Sequence, residues 1–200
     1  MTTVPIDFYF DFSSPYGYFA SLGIDALAAR YGREVRWRPF LLGVVFKTTG
    51  QSPLLLQPLR GPYAKRDLER TARLIGRPYR LPDSFPINAM AASRAFYWLE
   101  ASDAERAKGF ARAVFHAIFG EGRDMGPPAA VVELAKAKGF ANDLAVAIND
   151  QAVKDRLRAE VDSALARGVF GSPYVIVDDE PFWGFDRFPQ IERWLETGGW

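Results

Sequence analysis

The 200-residue chain contains no cysteine. That excludes a disulfide framework and any thiolate-held zinc. Histidine occurs once, as His116, so no Ser-His-Asp order and no paired-histidine metal motif can be assembled, and no metal is expected. A glycine-rich phosphate loop is also missing. Charge of one sign is lacking as well: 25 basic side chains stand against 24 acidic ones, a formal charge of +1, with no field to favour nucleic acid or an anionic membrane. A small-molecule partner is expected instead. The opening "MTTVPIDFYFDF" has no basic stretch, and Asp7 and Asp11 interrupt its apolar run. It reads as neither a secretion signal nor a membrane span, and a soluble cytoplasmic protein is the expectation.

What is present is apolar and aromatic material, 48% and 14% of the chain, enough for one core with a subdomain inserted into it. Ile6, Phe8, Phe10 and Phe12 alternate with Asp7, Tyr9 and Asp11, the period of a strand whose two faces differ. Tyr16, Phe19, Ala20, Gly23, Ile24 and Leu27 then recur at helical spacing, with Ser14 as cap, Pro15 as first helical residue and Gly32 as stop. "EVRWRPF" supplies a second strand that Pro39 brings to an end. From Leu42 the stretch "LLGVVFKTTGQSPLLLQPLRGPY" reads as a long loop. Ala-rich helical patterns follow: "AKRDLERTARLIG", "NAMAASRAFYWLEAS", "AERAKGFARAVFHAIFGEG", "PAAVVELAKAKG" and "LAVAINDQAVKDRLRAEVDSALARG". "SPYVIVDD" returns to strand chemistry, with a turn expected at Asp178, Asp179 and Glu180, a short "PFWG", and a last helix from about Asp186. The order is strand, helix, strand, helical insert, hairpin and helix. Periodicity alone leaves other α/β arrangements open.

Three motifs narrow the choice. "DFYFDFSSPYGY", "GVFGSPYVIV" and "WGFDR", in that order, resemble the family of 2-hydroxychromene-2-carboxylate isomerases and kappa-class glutathione transferases. The resemblance covers essentially the whole chain. It implies an α/β thioredoxin-like fold of the DsbA-like kind with a large inserted all-helical domain: residues 1–41 and 170–200 form the thioredoxin-like part and 42–169 the insert. Where oxidoreductases of this fold carry Cys-Pro-x-Cys, this chain has Ser14, Pro15, Tyr16 and Gly17, so it cannot cycle a disulfide of its own. The implied thiol comes from outside, from glutathione as cofactor. The implied activity is isomerisation of an aromatic small molecule by reversible thiolate addition, with ring opening, rotation about a former double bond and elimination. Transferase chemistry on other electrophiles and a non-catalytic peptide-binding module are the alternatives. A homodimer is implied too.

A helix start favours an anion, and a thiol near pKa 8.5 is nucleophilic only as thiolate, so Ser14 is the implied catalytic hydroxyl. Pro15 and Tyr16 complete that turn. Pro173 is expected to be cis, with the backbone of Ser172 pairing the cysteinyl part of glutathione. Asp186 is assigned the γ-glutamyl ammonium, with the Phe185 backbone beside it. Lys47, Gln51 and Arg60 are assigned to the remaining wall, Arg60 at the glycyl carboxylate. Phe46, Tyr16 and Trp183 are candidates for the electrophile pocket. The chain departs from the family pattern at Ser172, where an aliphatic residue is usual, at Phe185, where a small or polar one is, and at Gln51 in place of Asn. Taken alone, Ser14-Pro15 is also an ordinary helix start, Pro173 a strand-starting proline, Asp186 a cap, and Lys47 and Arg60 solvated charges. His116 is left out of the site.

Overall fold

In the computed structural model residues 4–200 are described; the first three residues of the N-terminal reading, and of the 1–41 segment, lie outside the described residues. Strand β1 (Ile6–Phe10) pairs in parallel with β2 (Val35–Pro39) and antiparallel with β3 (Tyr174–Val177), which carries β4 (Glu180–Trp183). The sheet order is β2-β1-β3-β4. The alternation expected for β1 does not separate a wet face from a dry one, because all five of its residues are buried. Asp7 and Tyr9 are covered through pairing: Arg38 and Arg167 both donate to Asp7, and Arg167 also reaches the Tyr9 hydroxyl at 2.9 Å. Burial raises the Asp7 pKa, but the two guanidinium groups outweigh it and hold it below the ordinary carboxylate value.

The first helical pattern folds as two helices, α1 (Pro15–Ser21) and α2 (Ile24–Arg30). At the break the Leu22 and Gly23 N–H groups reach back only three residues, to Phe19 and Ala20, the tightening typical of a helix end, and Gly23 adds the weakest helix propensity after proline. Gly32, at φ +63°, ends α2 as expected. The expected long loop is a correction: Leu42–Thr49 forms helix α3, a 3-10 turn spans Leu54–Leu56, and α4 (Arg60–Leu74) starts earlier than its apolar pattern. Val45 is the one buried residue of α3, so there was little apolar periodicity to read. Gly61 could not be larger at this junction, since a Cβ there would lie 2.5 Å from the Leu55 carbonyl oxygen.

Then follow α5 (Met90–Glu100), α6 (Ala104–Phe115) continuing into a π-helical segment at His116–Gly120, α7 (Pro128–Ala137), α8 (Leu144–Ala147) and α9 (Gln151–Ala166). The last expected insert helix is divided because the Asp150 carboxylate caps α9, accepting the Ala152 N–H at 2.7 Å. Asp178 and Asp179 turn the hairpin with φ of 50° and 69°, while Glu180, expected in the turn, is already in β4 opposite Val177. The chain ends through a 3-10 turn at Phe185–Arg187 and helix α10 (Phe188–Thr197).

One aromatic cluster joins sheet to insert. Phe10, fully buried, lies 5.2 Å from Phe8 and from Phe12, 5.4 Å from Trp37 and Phe115, and 6.0 Å from Phe96 between ring centroids. Phe96 and Phe115 belong to α5 and α6, so these helices pack on the strand that leads into Ser14. Phe10→Ala is therefore expected to lower unfolding free energy by about 3–5 kcal/mol. Denaturant unfolding checks this, and a loss below about 1 kcal/mol would show that the cluster does not carry the fold.

Candidate active site

Strand β1 delivers the chain to a tight turn and then to α1. Ser14 caps α1 in extended backbone conformation, and its Oγ accepts the Gly17 N–H at 3.0 Å. The same oxygen lies 2.8 Å from the carbonyl oxygen of Ser172. An amide N–H can only donate and a carbonyl can only accept, so the hydroxyl proton is committed to Ser172. Ser14 is 5% exposed. In the first turn Pro15 has no N–H, Gly17 gives its own to Ser14 Oγ and Tyr18 gives its own to the Ser14 carbonyl. The Tyr16 N–H is the donor left over.

The Ser172–Pro173 bond is cis, as the motif implied. The Ser172 hydroxyl accepts the Asp11 N–H at 3.0 Å, and Gly184 donates to the Pro173 carbonyl at 3.1 Å. The Ser172 carbonyl, assigned with its N–H to pairing with the cysteinyl part of glutathione, accepts the Ser14 hydroxyl proton in this structure.

These segments line a cavity of about 1200 Å³. All ten residues singled out from the sequence border it: Ser14, Pro15 and Tyr16 on the first turn, Lys47 and Gln51 on and after α3, Arg60 at the start of α4, Ser172 and Pro173, and Phe185 and Asp186 before α10. The volume exceeds the usual range for a single small-molecule pocket. Among the described residues neither Lys47 nor Arg60 is in an ion pair. Asp186 has a side chain 70% exposed and accepts from Arg187 at 2.7 Å. Phe46 and Trp183 border the cavity as well. Trp183 stands edge-on to Phe170 at 4.9 Å and closes over Gly171, where a Cβ would fall 2.1 Å from the indole nitrogen.

Two acids at the cavity carry more structure than the sequence suggested. Asp67 of α4 accepts the Tyr16 hydroxyl at 2.7 Å and is backed by Arg70. Burial first, and then the Asp67 carboxylate, push the Tyr16 pKa far up, so its phenol stays neutral. Asp11 is 3% exposed and accepts backbone N–H groups from Ser13 at 2.6 Å and Leu42 at 2.7 Å.

The chain matches the DSBA-like thioredoxin domain family over residues 5–196. It is 32% identical over 197 residues to the 2-hydroxychromene-2-carboxylate isomerase of Sphingobium xenophagum, spanning 96% of this chain and 98% of that one. The chain belongs to the 2-hydroxychromene-2-carboxylate isomerase family. A solved 2-hydroxychromene-2-carboxylate isomerase superposes with a TM-score of 0.86 at 28% identity, covering 96% of this chain and 95% of that one. Glutathione S-transferase kappa 2 of Caenorhabditis elegans is 27% identical over 204 residues, 95% of this chain and 91% of the relative. The thioredoxin fold with helices between its second and third strands is thus the fold of this isomerase family member.

The sequence does not mark Asp11, Asp67 or Arg187 as site residues, yet all three border the cavity. Asp11 was visible only as a break in an apolar run, and Asp67 only as a polar position of an amphipathic pattern. Arg187 completes "WGFDR" and was within reach, since a cation beside Asp186 is the simplest partner for it. His116, left out of the site, does not border the cavity; its Nε2 lies 3.5 Å from Glu121.

Proposed function

We propose that this chain isomerises 2-hydroxychromene-2-carboxylate, or a close aromatic relative, with glutathione as its cofactor. The observation that carries the reading is a thiol-free Ser-Pro-Tyr-Gly junction opening onto a cavity whose charged groups suit a tripeptide. Lys47, Arg60 and Arg187 can meet two carboxylates, Asp186 an ammonium, and the Ser172 backbone a peptide unit. The fit is one of donor set: each ionic group of glutathione has a complementary side chain on this wall. When bound, glutathione supplies the thiolate nucleophile that a cysteine-free chain cannot.

The chain's own residues then have distinct tasks. The Tyr16 N–H and the Ser14 hydroxyl stabilise negative charge at the start of α1. Ser14 becomes available to do so when a cosubstrate N–H takes over the Ser172 carbonyl, which releases the hydroxyl proton to turn toward sulfur. Lys47, Arg60 and Asp186 fix the ends of the peptide, so that the thiol is presented in one orientation. Phe46, Trp183 and the Tyr16 ring exclude water and hold an aromatic ring.

The second reading, transferase chemistry on other electrophiles, is favoured by the likeness to the kappa-class enzyme. One assay separates the two: conversion of 2-hydroxychromene-2-carboxylate by purified protein, with and without glutathione. Turnover that requires glutathione is expected. Full turnover in thiol-free buffer contradicts the reading, and glutathione binding without isomerisation moves it to the transferase.

A further inference from the structure

Beneath the cavity lies a buried acid that the tasks above leave unused. Asp11 follows β1 directly, and its two carboxylate oxygens accept the N–H groups of Ser13 and of Leu42, the latter 31 residues away. Its own N–H donates to the Ser172 hydroxyl and its carbonyl accepts the Ser14 N–H at 2.9 Å. One residue is thereby bonded to the turn that carries Ser14, to the first residue of α3, which brings Lys47 into the cavity, and to the residue before Pro173. We infer that Asp11 is the positioning residue of the glutathione cleft, its ionised carboxylate tying the Ser14 turn to α3. The inference rests on the glutathione reading above.

Ionisation is what makes the tie two-sided. A carboxylate accepts at both oxygens, whereas a protonated carboxyl turns one oxygen into a donor facing an N–H, and one of the two bonds is lost. Burial raises the Asp11 pKa to about 6, against the pull of the two N–H bonds. Among the described residues no charged side chain offsets it. On β1, Asp7 is engaged by Arg38 and Arg167. The turn presents only Ser13 and Ser14, and residues 170–173 carry no charge. Lys47 lies more than a helical turn along α3 from Leu42. Across the cavity Asp67 is bonded to Tyr16 and Arg70, and Asp186 to Arg187.

An uncompensated buried anion is a poor choice if the position serves stability alone. The pKa in the folded chain stands above the ordinary 3.8, so the folded state holds this proton more tightly than the unfolded one. Stability at this site is therefore highest at low pH and declines as pH rises from about 4 through about 6. Glutathione affinity should run the opposite way, rising as the carboxylate ionises and the tie closes. Opposed slopes are the signature of a group kept ionised for positioning.

The test is calorimetric titration with S-methylglutathione, which has no thiol to ionise, from about pH 5 to about pH 7.5, with thermal unfolding in the same buffers. Wild type, Asp11→Asn and Leu42→Pro are compared. Leu42→Pro deletes one N–H of the tie at a first helical position, where proline is at home. Wild-type affinity is expected to fall about tenfold between pH 7 and pH 5 with a one-proton dependence. Asp11→Asn should bind weakly and without that pH dependence, while its unfolding temperature gains on wild type as pH rises. Leu42→Pro should bind weakly, with the acid limb moved to higher pH. A pH-independent wild-type affinity, or the same acid limb in Asp11→Asn, overturns the inference. Absence of binding by wild type at pH 7.5 overturns the glutathione reading itself and the inference with it.

Discussion

Ser14→Ala is expected to lower turnover about a hundredfold, the scale of losing one donor to a developing or resident anion in a dry site. The hydroxyl has two roles that the substitution separates. As a cap it satisfies the Gly17 N–H, which contributes about 1 kcal/mol to stability, and in the free protein it also covers the Ser172 carbonyl. These losses lower the unfolding temperature without dissolving α1, since Pro15 still presets the first turn and Phe19 and Ala20 remain buried behind it. On the proposed reading it also donates to sulfur and helps keep the thiol of bound glutathione ionised, so that the apparent pKa of that thiol is expected to rise in the variant. Turnover and thiolate absorbance measured across pH give both numbers. Unchanged turnover and titration would leave Ser14 a helix cap and nothing more.

Asp186→Ala is expected to weaken glutathione binding about tenfold to a hundredfold, the range of a hydrogen bond between a carboxylate and a charged ammonium. The lower end of that range is favoured because the incoming ammonium must compete with Arg187, already 2.7 Å from the carboxylate. The fold should not suffer, since an exposed ion pair of neighbouring residues contributes little to stability. Calorimetry of wild type and variant decides it, and equal affinity would remove Asp186 from the site.

How far the sequence discloses this molecule depends on where each signal resides. β1, the Ser14 cap with Pro15, and the β3–β4 hairpin are local features: alternation, cap chemistry and a two-aspartate turn announce them, and the structure has them there, with Glu180 moved from the turn into β4. Helix α3 is different. It buries one residue, and its Thr48 and Thr49 hydroxyls bond back to the carbonyls of Val44 and Val45, so it carries neither an apolar stripe nor a favourable composition. The sequence pattern therefore places Lys47 in a loop, whereas it lies in α3; Gln51 follows the helix as a loop residue, and both border the cavity. Seven of the ten candidate residues lie in three short motifs, and Lys47, Gln51 and Arg60 come from the stretch between Leu42 and Tyr63. Asp11 and Asp67 could not be picked out as site residues, because their meaning lies in partners far along the chain, Leu42 for the one and Tyr16 for the other.

The central claim is that the nucleophile is borrowed, and S-methylglutathione tests it most directly. It keeps every peptide contact available to Lys47, Arg60, Ser172 and Asp186 but has no thiol to ionise at Ser14. Initial rates of 2-hydroxychromene-2-carboxylate isomerisation are measured with glutathione varied and S-methylglutathione added at fixed concentrations. The account predicts a saturable rate that extrapolates to zero without glutathione, and competitive inhibition by S-methylglutathione with no turnover of its own. Turnover sustained by S-methylglutathione alone, or a rate indifferent to both compounds, would contradict it.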